Sequence, residues 1–359
     1  MITQQKLEQI DLQNMFAILK NFPAQIEDAI NIGKKAPGFP NKIESKNFVI
    51  LGMGGSAIGG DLIRSYSSVL KGADHLSFSV IRNYILPGNI DENANVIVSS
   101  YSGGTEETIT AYKTALNKSQ NIVCITTGGE LESLAKKNNT PVIKIPSGYQ
   151  PRCALGFSFF TMLYLLMKSG AYQGEAVKTT EMAIDELILL IKKRSDEFSS
   201  LSSDNEAYHL AEKLNGTIPV IYSSVERMDI VNLRWRGQIQ ENAKYLAFGN
   251  YLPEMNHNEI NAFSNPVNFG KNYSIIFLKD LEDNDRIKLR FNALEDILKP
   301  MTNQIIKLHS NADYLLTRIF DLIYLGDWVS YYLAVLNEID PTPIPNINKL
   351  KDILSMNHD

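Results

Sequence analysis

Short apolar runs alternate with longer amphipathic stretches along the first half of the chain. Runs rich in Val and Ile lie at 47–51, 77–81, 95–99, 121–126 and 141–145, and apolar residues recur at helical spacing over 57–70, 105–116, 131–137 and 154–168. Brief runs bounded by turn residues read as strands, and a spacing of three and four reads as a helix buried along one face. Strand and helix in strict alternation predict a parallel sheet with helices on both faces. Residues 175–200 are polar and helical in pattern, a connector. Beyond them the alternation restarts, with strand 217–223, a helix from Glu226, strand 274–279, helix 285–298, strand 304–308 and a long apolar helix from Tyr314. The pattern predicts an α/β chain: an N-terminal helical segment (1–30), a first α/β/α domain (31–172), a connector (173–203) and a second such domain with a C-terminal helix (204–359). The repeat is one of pattern, not of residues.

The first strand runs into Gly52-Met53-Gly54-Gly55-Ser56-Ala57-Ile58-Gly59-Gly60. A strand that turns through glycines into a helix leaves backbone N–H groups pointing outward at the positive end of the helix dipole, a site for an anion. A second strand-to-helix turn, Ser100-Tyr101-Ser102-Gly103-Gly104-Thr105, is crowded with hydroxyls. Each has a plainer reading: a tight connection for the first, and N-capping by Ser102 or Thr105 for the second. Together they predict a phosphate cradle built from Gly54, Gly55, Ser56, Ser100, Ser102 and Thr105. A dinucleotide site would want an acidic residue after the next strand, which instead ends in Arg82-Asn83-Tyr84. The corresponding turns of the second half have no glycine at Tyr222-Ser223-Ser224-Val225-Glu226, and four carboxylates between Asp280 and Asp285 that would repel a phosphate.

At 359 residues the chain has room for two domains, and 44% hydrophobic with 21% charged residues describes a globular protein. A net charge of −5 argues against a nucleic-acid partner. Two cysteines, Cys124 and Cys153, make no disulfide framework and suit a reducing compartment. The N-terminus has no apolar signal core, and the longest unbroken apolar run, 157–167, is too short to cross a bilayer. A cytoplasmic protein with no membrane partner is expected.

In the second half, Glu241 falls near the end of a helical pattern and His257 in an asparagine-flanked loop. Alone, each is most often a solvated residue. As a pair they are what proton movement on a sugar requires, one taking a C–H proton and the other opening the ring. His257 with Glu259 lacks a third ligand at metal spacing.

The ordered segments Gly52-Met53-Gly54-Gly55-Ser56, Ser100-Tyr101-Ser102-Gly103-Gly104-Thr105, Pro151-Arg152-Cys153-Ala154-Leu155-Gly156, Glu241-Asn242-Ala243-Lys244 and Asn256-His257-Asn258-Glu259 resemble the bifunctional phosphoglucose/phosphomannose isomerases of the sugar isomerase (SIS) domain superfamily. The resemblance runs from about residue 30 to the C-terminus. Gly104 stands where asparagine is common, and Cys153 where alanine is usual. The resemblance implies two SIS-type subdomains and an aldose–ketose isomerase acting on glucose, mannose and fructose 6-phosphates, without metal or redox cofactor. It implies that Ser56, Ser100, Ser102 and Thr105 hold the phosphate, Arg152 stabilises the enediolate and Glu241 shuttles the proton. His257 would open the ring from the partner subunit of a homodimer. Thr342 would contact the sugar near C2, and Lys349 would assist at the ring oxygen, with Lys351 as its competitor. A non-catalytic sugar-phosphate sensor is the alternative, and such proteins usually add a DNA-binding module, of which no pattern precedes residue 30. An amidotransferase-type synthase would need a glutamine-hydrolysing domain.

Overall fold

The computed structural model describes residues 3–88 and 90–356. Three helices, α1 (Gln4–Ile10), α2 (Met15–Lys20) and α3 (Phe22–Lys35), lead into the first sheet. That sheet holds β1 (Asn47–Leu51), β2 (Ser77–Ile81), β3 (Asn95–Ser100), β4 (Asn121–Thr126) and β5 (Val142–Lys144), all parallel, in the order β2-β1-β3-β4-β5. β3 and β4 are buried along their whole length, as strands covered on both faces are, and such strands read as continuous apolar runs. The cover comes from α4 (Gly54–Val69), α5 (Glu106–Ala115), α6 (Gly129–Lys137) and α7 (Leu155–Lys168).

α3 runs unbroken through residue 30 and packs along α7. Its buried Gln25 braces the start of α7, donating to the Cys153 carbonyl at 2.9 Å and accepting from the Gly156 amide at 2.9 Å.

The connector is α8 (Glu175–Ser199), followed by α9 (Glu206–Leu214). The second sheet is again parallel, with β6 (Ile218–Ser224), β7 (Phe248–Leu252), β8 (Tyr273–Leu278) and β9 (Gln304–Leu308) in the order β7-β6-β8-β9. Its helices are α10 (Asp229–Asn242), α11 (Asp285–Leu298), α12 (Leu315–Leu336) and α13 (Pro345–Met356). The helix expected from Glu226 begins at Asp229 instead, because Glu226 sits in a turn with φ +68°. α9 and the edge strand β7 were not anticipated from the pattern.

α12 is long and apolar enough to span a bilayer by length and composition, but 94% of that stretch is buried inside the protein. Its charged residues are paired there: Asp321 with Arg194 at 2.8 Å, and Asp327 with Arg234 at 2.7 Å. It is a core helix, wrapped by α8, α9 and α10.

In both sheets the strand order reverses between the first strand and the one beside it, β1 and β3 in one, β6 and β8 in the other. Connections leave such a point in opposite directions and open a crevice beyond the carboxyl ends of the strands. Both expected phosphate turns border the crevice of the first sheet.

Candidate active site

Leaving β1, the chain turns into α4 at Gly54, whose φ of +47° favours glycine. At Gly55 a Cβ would lie 2.6 Å from the Pro151 carbonyl, so the missing side chain lets the first turn of α4 rest against the Arg152 turn. Gly59 and Gly60 are helical and face Ser158 of α7 and Ile50 of β1. These two serve packing, within the helix that the pattern over 57–70 predicts.

The two turns are tied together by Ser56, whose Oγ accepts from the Tyr101 amide at 3.1 Å. Ser100 Oγ donates to Thr105 Oγ1 at 3.2 Å and accepts from the Gly103 amide at 3.1 Å. Ser102 is exposed, its Oγ accepting from the Gly104 amide at 3.3 Å. Thr105 occupies the N-cap of α5 without a side-chain capping bond, and Met53 does the same at α4. The capping reading of these hydroxyls is thereby overturned. Two helix N-termini with no side-chain cap meet at one crevice, with hydroxyls between them, as an anion site requires.

Arg152 lies in a single 3-10 turn after β5 (Pro151–Cys153) and is only 4% exposed. Its Nε donates to Asn242 Oδ1 at 2.6 Å, and its Nη2 donates to the Pro341 and Thr342 carbonyls at 2.8 Å each. Its own carbonyl accepts from Arg234, which Asp327 holds. The remaining nitrogen, Nη1, stands 3.6 Å from the Glu241 carboxylate and has no hydrogen-bond partner among the described residues. Buried polar atoms are nearly always paired, so an orphaned guanidinium nitrogen is a donor awaiting a ligand oxygen. Glu241, in the last turn of α10, has a side chain 34% exposed and so keeps its carboxylate in reach of solvent beside Arg152.

Lys244, just past α10, donates to the carbonyls of Asn242, Asp340 and Pro341. Burial, then the Arg152 charge, pull its pKa down to about 8. Burial pushes the Cys153 thiol up to about 12, which keeps it protonated and unreactive beside Arg152. Thr342 is buried, its carbonyl occupied by Arg152 and its amide bonded to Asp340.

The structure brings Gly55, Arg152, Glu241 and the backbone of Thr342 to one place. Two expected site residues stand outside this cluster. His257 ends a short 3-10 turn, exposed, and its ring makes no hydrogen bond among the described residues. Lys349 and its competitor Lys351 are exposed on α13, a helix with no buried residue. Glu259, beside His257, has both oxygens occupied, by the Tyr222 hydroxyl and by Asn250 Nδ2, each at 2.6 Å. Among the described residues no group of three or more His, Cys, Asp or Glu is placed to hold a metal ion. Gln25, Asn242 and Lys244 were not anticipated as site residues. Of these only Asn242 and Lys244 lay in a segment the sequence singles out.

Residues 203–354 match the bacterial phospho-glucose isomerase C-terminal SIS domain. A bifunctional phosphoglucose/phosphomannose isomerase of Caldicellulosiruptor bescii is 39% identical over 95% of this chain and 99% of its own length. The chain belongs to the bifunctional phosphoglucose/phosphomannose isomerase family. It is a SIS-domain protein of the sugar-phosphate isomerase and epimerase class. A D-glucosamine-6-phosphate 4-epimerase of Sulfolobus acidocaldarius is 29% identical over 70% of this chain and 73% of its own. The C-terminal domain of a Francisella tularensis glucosamine-fructose-6-phosphate aminotransferase shares the fold, with a TM-score of 0.68 at 12% identity, covering 92% of this chain and 98% of that one.

In this family member the turn after β8 is bound up in ion pairs. Arg318 pairs with Asp280 at 2.8 Å and Glu282 at 2.9 Å, Arg227 pairs with Asp280 at 3.0 Å, and Ser224 donates to Asp283 at 2.5 Å. Arginines pair with Asp280 and Glu282, while Asp283 is bonded to the Ser224 hydroxyl and the Asp280 amide, so the carboxylates of this turn are held by partners within the protein.

Proposed function

We propose that this protein interconverts glucose 6-phosphate, mannose 6-phosphate and fructose 6-phosphate through a cis-enediolate. The observation that carries the reading is the buried Arg152, held on three sides, with Nη1 unpartnered and facing Glu241. Glu241 takes the proton from C2 of the open-chain aldose. The electron pair moves to the C1 oxygen, and Arg152 Nη1 stabilises the resulting oxyanion. Glu241 returns the proton to C1 as the O2 proton passes to O1, giving the ketose. Delivery to either face of C2 leads back to the glucose or the mannose isomer. One proton moves between carbons and no net electrons are gained or lost, so the reaction needs no redox cofactor, and Arg152 supplies the positive charge that a metal ion would otherwise give the oxyanion.

The cradle of Ser56, Ser100, Ser102 and Thr105 with Gly54 and Gly55 holds the phosphate. Thr342 contacts the sugar near C2. His257 opens the ring of the neighbouring site in a homodimer, a role supported by its exposure and by a ring that has no hydrogen-bond partner among the described residues. Lys349 or Lys351 assists at the ring oxygen. A coupled assay of the purified protein with each 6-phosphate, with and without EDTA, tests the reading, together with solvent deuterium uptake at C2. Turnover in all three pairings with EDTA present is expected. Loss of all turnover with EDTA would overturn the metal-free route, and turnover of glucosamine 6-phosphate alone would favour chemistry at C4, as the named epimerase relative has it.

A further inference from the structure

Lys244 follows the last turn of α10 with φ +52°. Helices prefer glycine or asparagine at that left-handed position, because a Cβ crowds the neighbouring carbonyl. A lysine carries a backbone cost there that glycine would avoid, so the position is explained by the bonds its side chain makes, one of them to the last residue of the helix itself. The amine donates to the Asn242 carbonyl at 3.1 Å, the Asp340 carbonyl at 2.7 Å and the Pro341 carbonyl at 3.0 Å. The Pro341 carbonyl also accepts from Arg152 Nη2 at 2.8 Å. One oxygen thus holds both cations, and residues 340–342 are stitched to α10 on one side and to Arg152 on the other.

We propose that Lys244 is a positioning residue that ties residues 340–342 to the end of α10 and thereby fixes Arg152 with Nη1 open toward Glu241. Its effect on rate rests on the isomerase reading above. Lys244 does not itself touch the reacting carbons.

Arg152, Asp340 and Glu241 are the charged groups that face the amine. Its pKa of about 8 lies below the ordinary lysine value. Above that pH the neutral amine donates at most two hydrogen bonds, so one of the three carbonyls loses its partner. The folded chain releases this proton before the unfolded chain does, so between the two values deprotonation at Lys244 does not lower global stability. Activity falls on the alkaline side without melting.

Lys244→Gly relieves the backbone and removes the amine, which separates the two roles. Expected are a kcat lowered on the order of 10- to 100-fold, the scale of a misplaced reacting group, a melting temperature unchanged or raised, and faster hydrogen–deuterium exchange across 338–342. Lys244→Arg keeps a permanent cation and should shift the alkaline limb of kcat upward. Native kcat in Lys244→Gly, or an unmoved limb in Lys244→Arg, overturns the proposal. If the native protein turns over none of the three 6-phosphates, the isomerase reading has failed. The exchange measurement then decides the tie by itself, with unchanged exchange in Lys244→Gly refuting it.

Discussion

Asn242 accepts a 2.6 Å hydrogen bond from Arg152 Nε, across the two halves of the chain and one residue from Glu241. Asn242 is fixed in turn by donating to Ser330 on α12 at 2.9 Å. The cation and the carboxylate are therefore aligned by one helix end. Asn242→Ala removes an acceptor from a buried charged donor and should cost about 1.5–3 kcal/mol of stability. Urea denaturation measures this, and kcat should fall more than KM rises because Arg152 is then free to turn.

Glu241→Gln keeps the shape of the side chain and removes the base. The loss expected in kcat is on the order of 10²–10⁴, with deuterium uptake at C2 lost alongside. Stability should hardly change, since Glu241 is partly exposed and pairs with Arg152 only at 3.6 Å. Mixing this variant with His257→Ala after dissociation should restore part of the activity, because hybrid dimers would contain one intact site. Uptake at the native rate in Glu241→Gln would move the base elsewhere.

The cradle hydroxyls should separate by their native partners. Ser102 is exposed and its Oγ serves only the Gly104 amide among the described residues. Ser102→Ala should raise KM, with about 1.5–3 kcal/mol of phosphate binding lost, while kcat and melting temperature hold. Ser100 is buried and braces both Gly103 and Thr105. Ser100→Ala should lower the melting temperature as well as raise KM.

Gly55→Ala drives a methyl group against the backbone carbonyl of Pro151, which cannot rotate away as a side chain would. A stability loss of about 1–3 kcal/mol is expected from such overpacking. Because Pro151 carries the Arg152 turn, kcat and KM should both worsen. A variant altered in KM alone would mean that Gly55 serves the phosphate and not the turn.

Much of this fold was legible because buried parallel strands are written as apolar runs between turns. β7 was not: Phe248-Gly249-Asn250-Tyr251-Leu252 is an edge strand pairing only with β6, and its glycine and asparagine break the expected β-branched pattern. α9 was hidden by its shortness, nine residues beside a long connector. The two turns of the proposed cradle were legible because their glycines and hydroxyls are adjacent in the chain. The holding of Arg152 was not, since two of its acceptors are the backbone carbonyls of Pro341 and Thr342, which any residue supplies. Gln25 was invisible for another reason. Its role depends on α3 lying against α7, a contact between segments far apart in the chain.

The ion pairs that tie Asp280 and Glu282 to Arg227 and Arg318 leave the turns of the first sheet as the proposed seat for a sugar phosphate in each chain. A calorimetric titration should therefore saturate at one ligand per chain. Any departure of that curve from simple one-site binding would report communication between chains, because the carboxylates in the second sheet's turn are already held by partners within the protein.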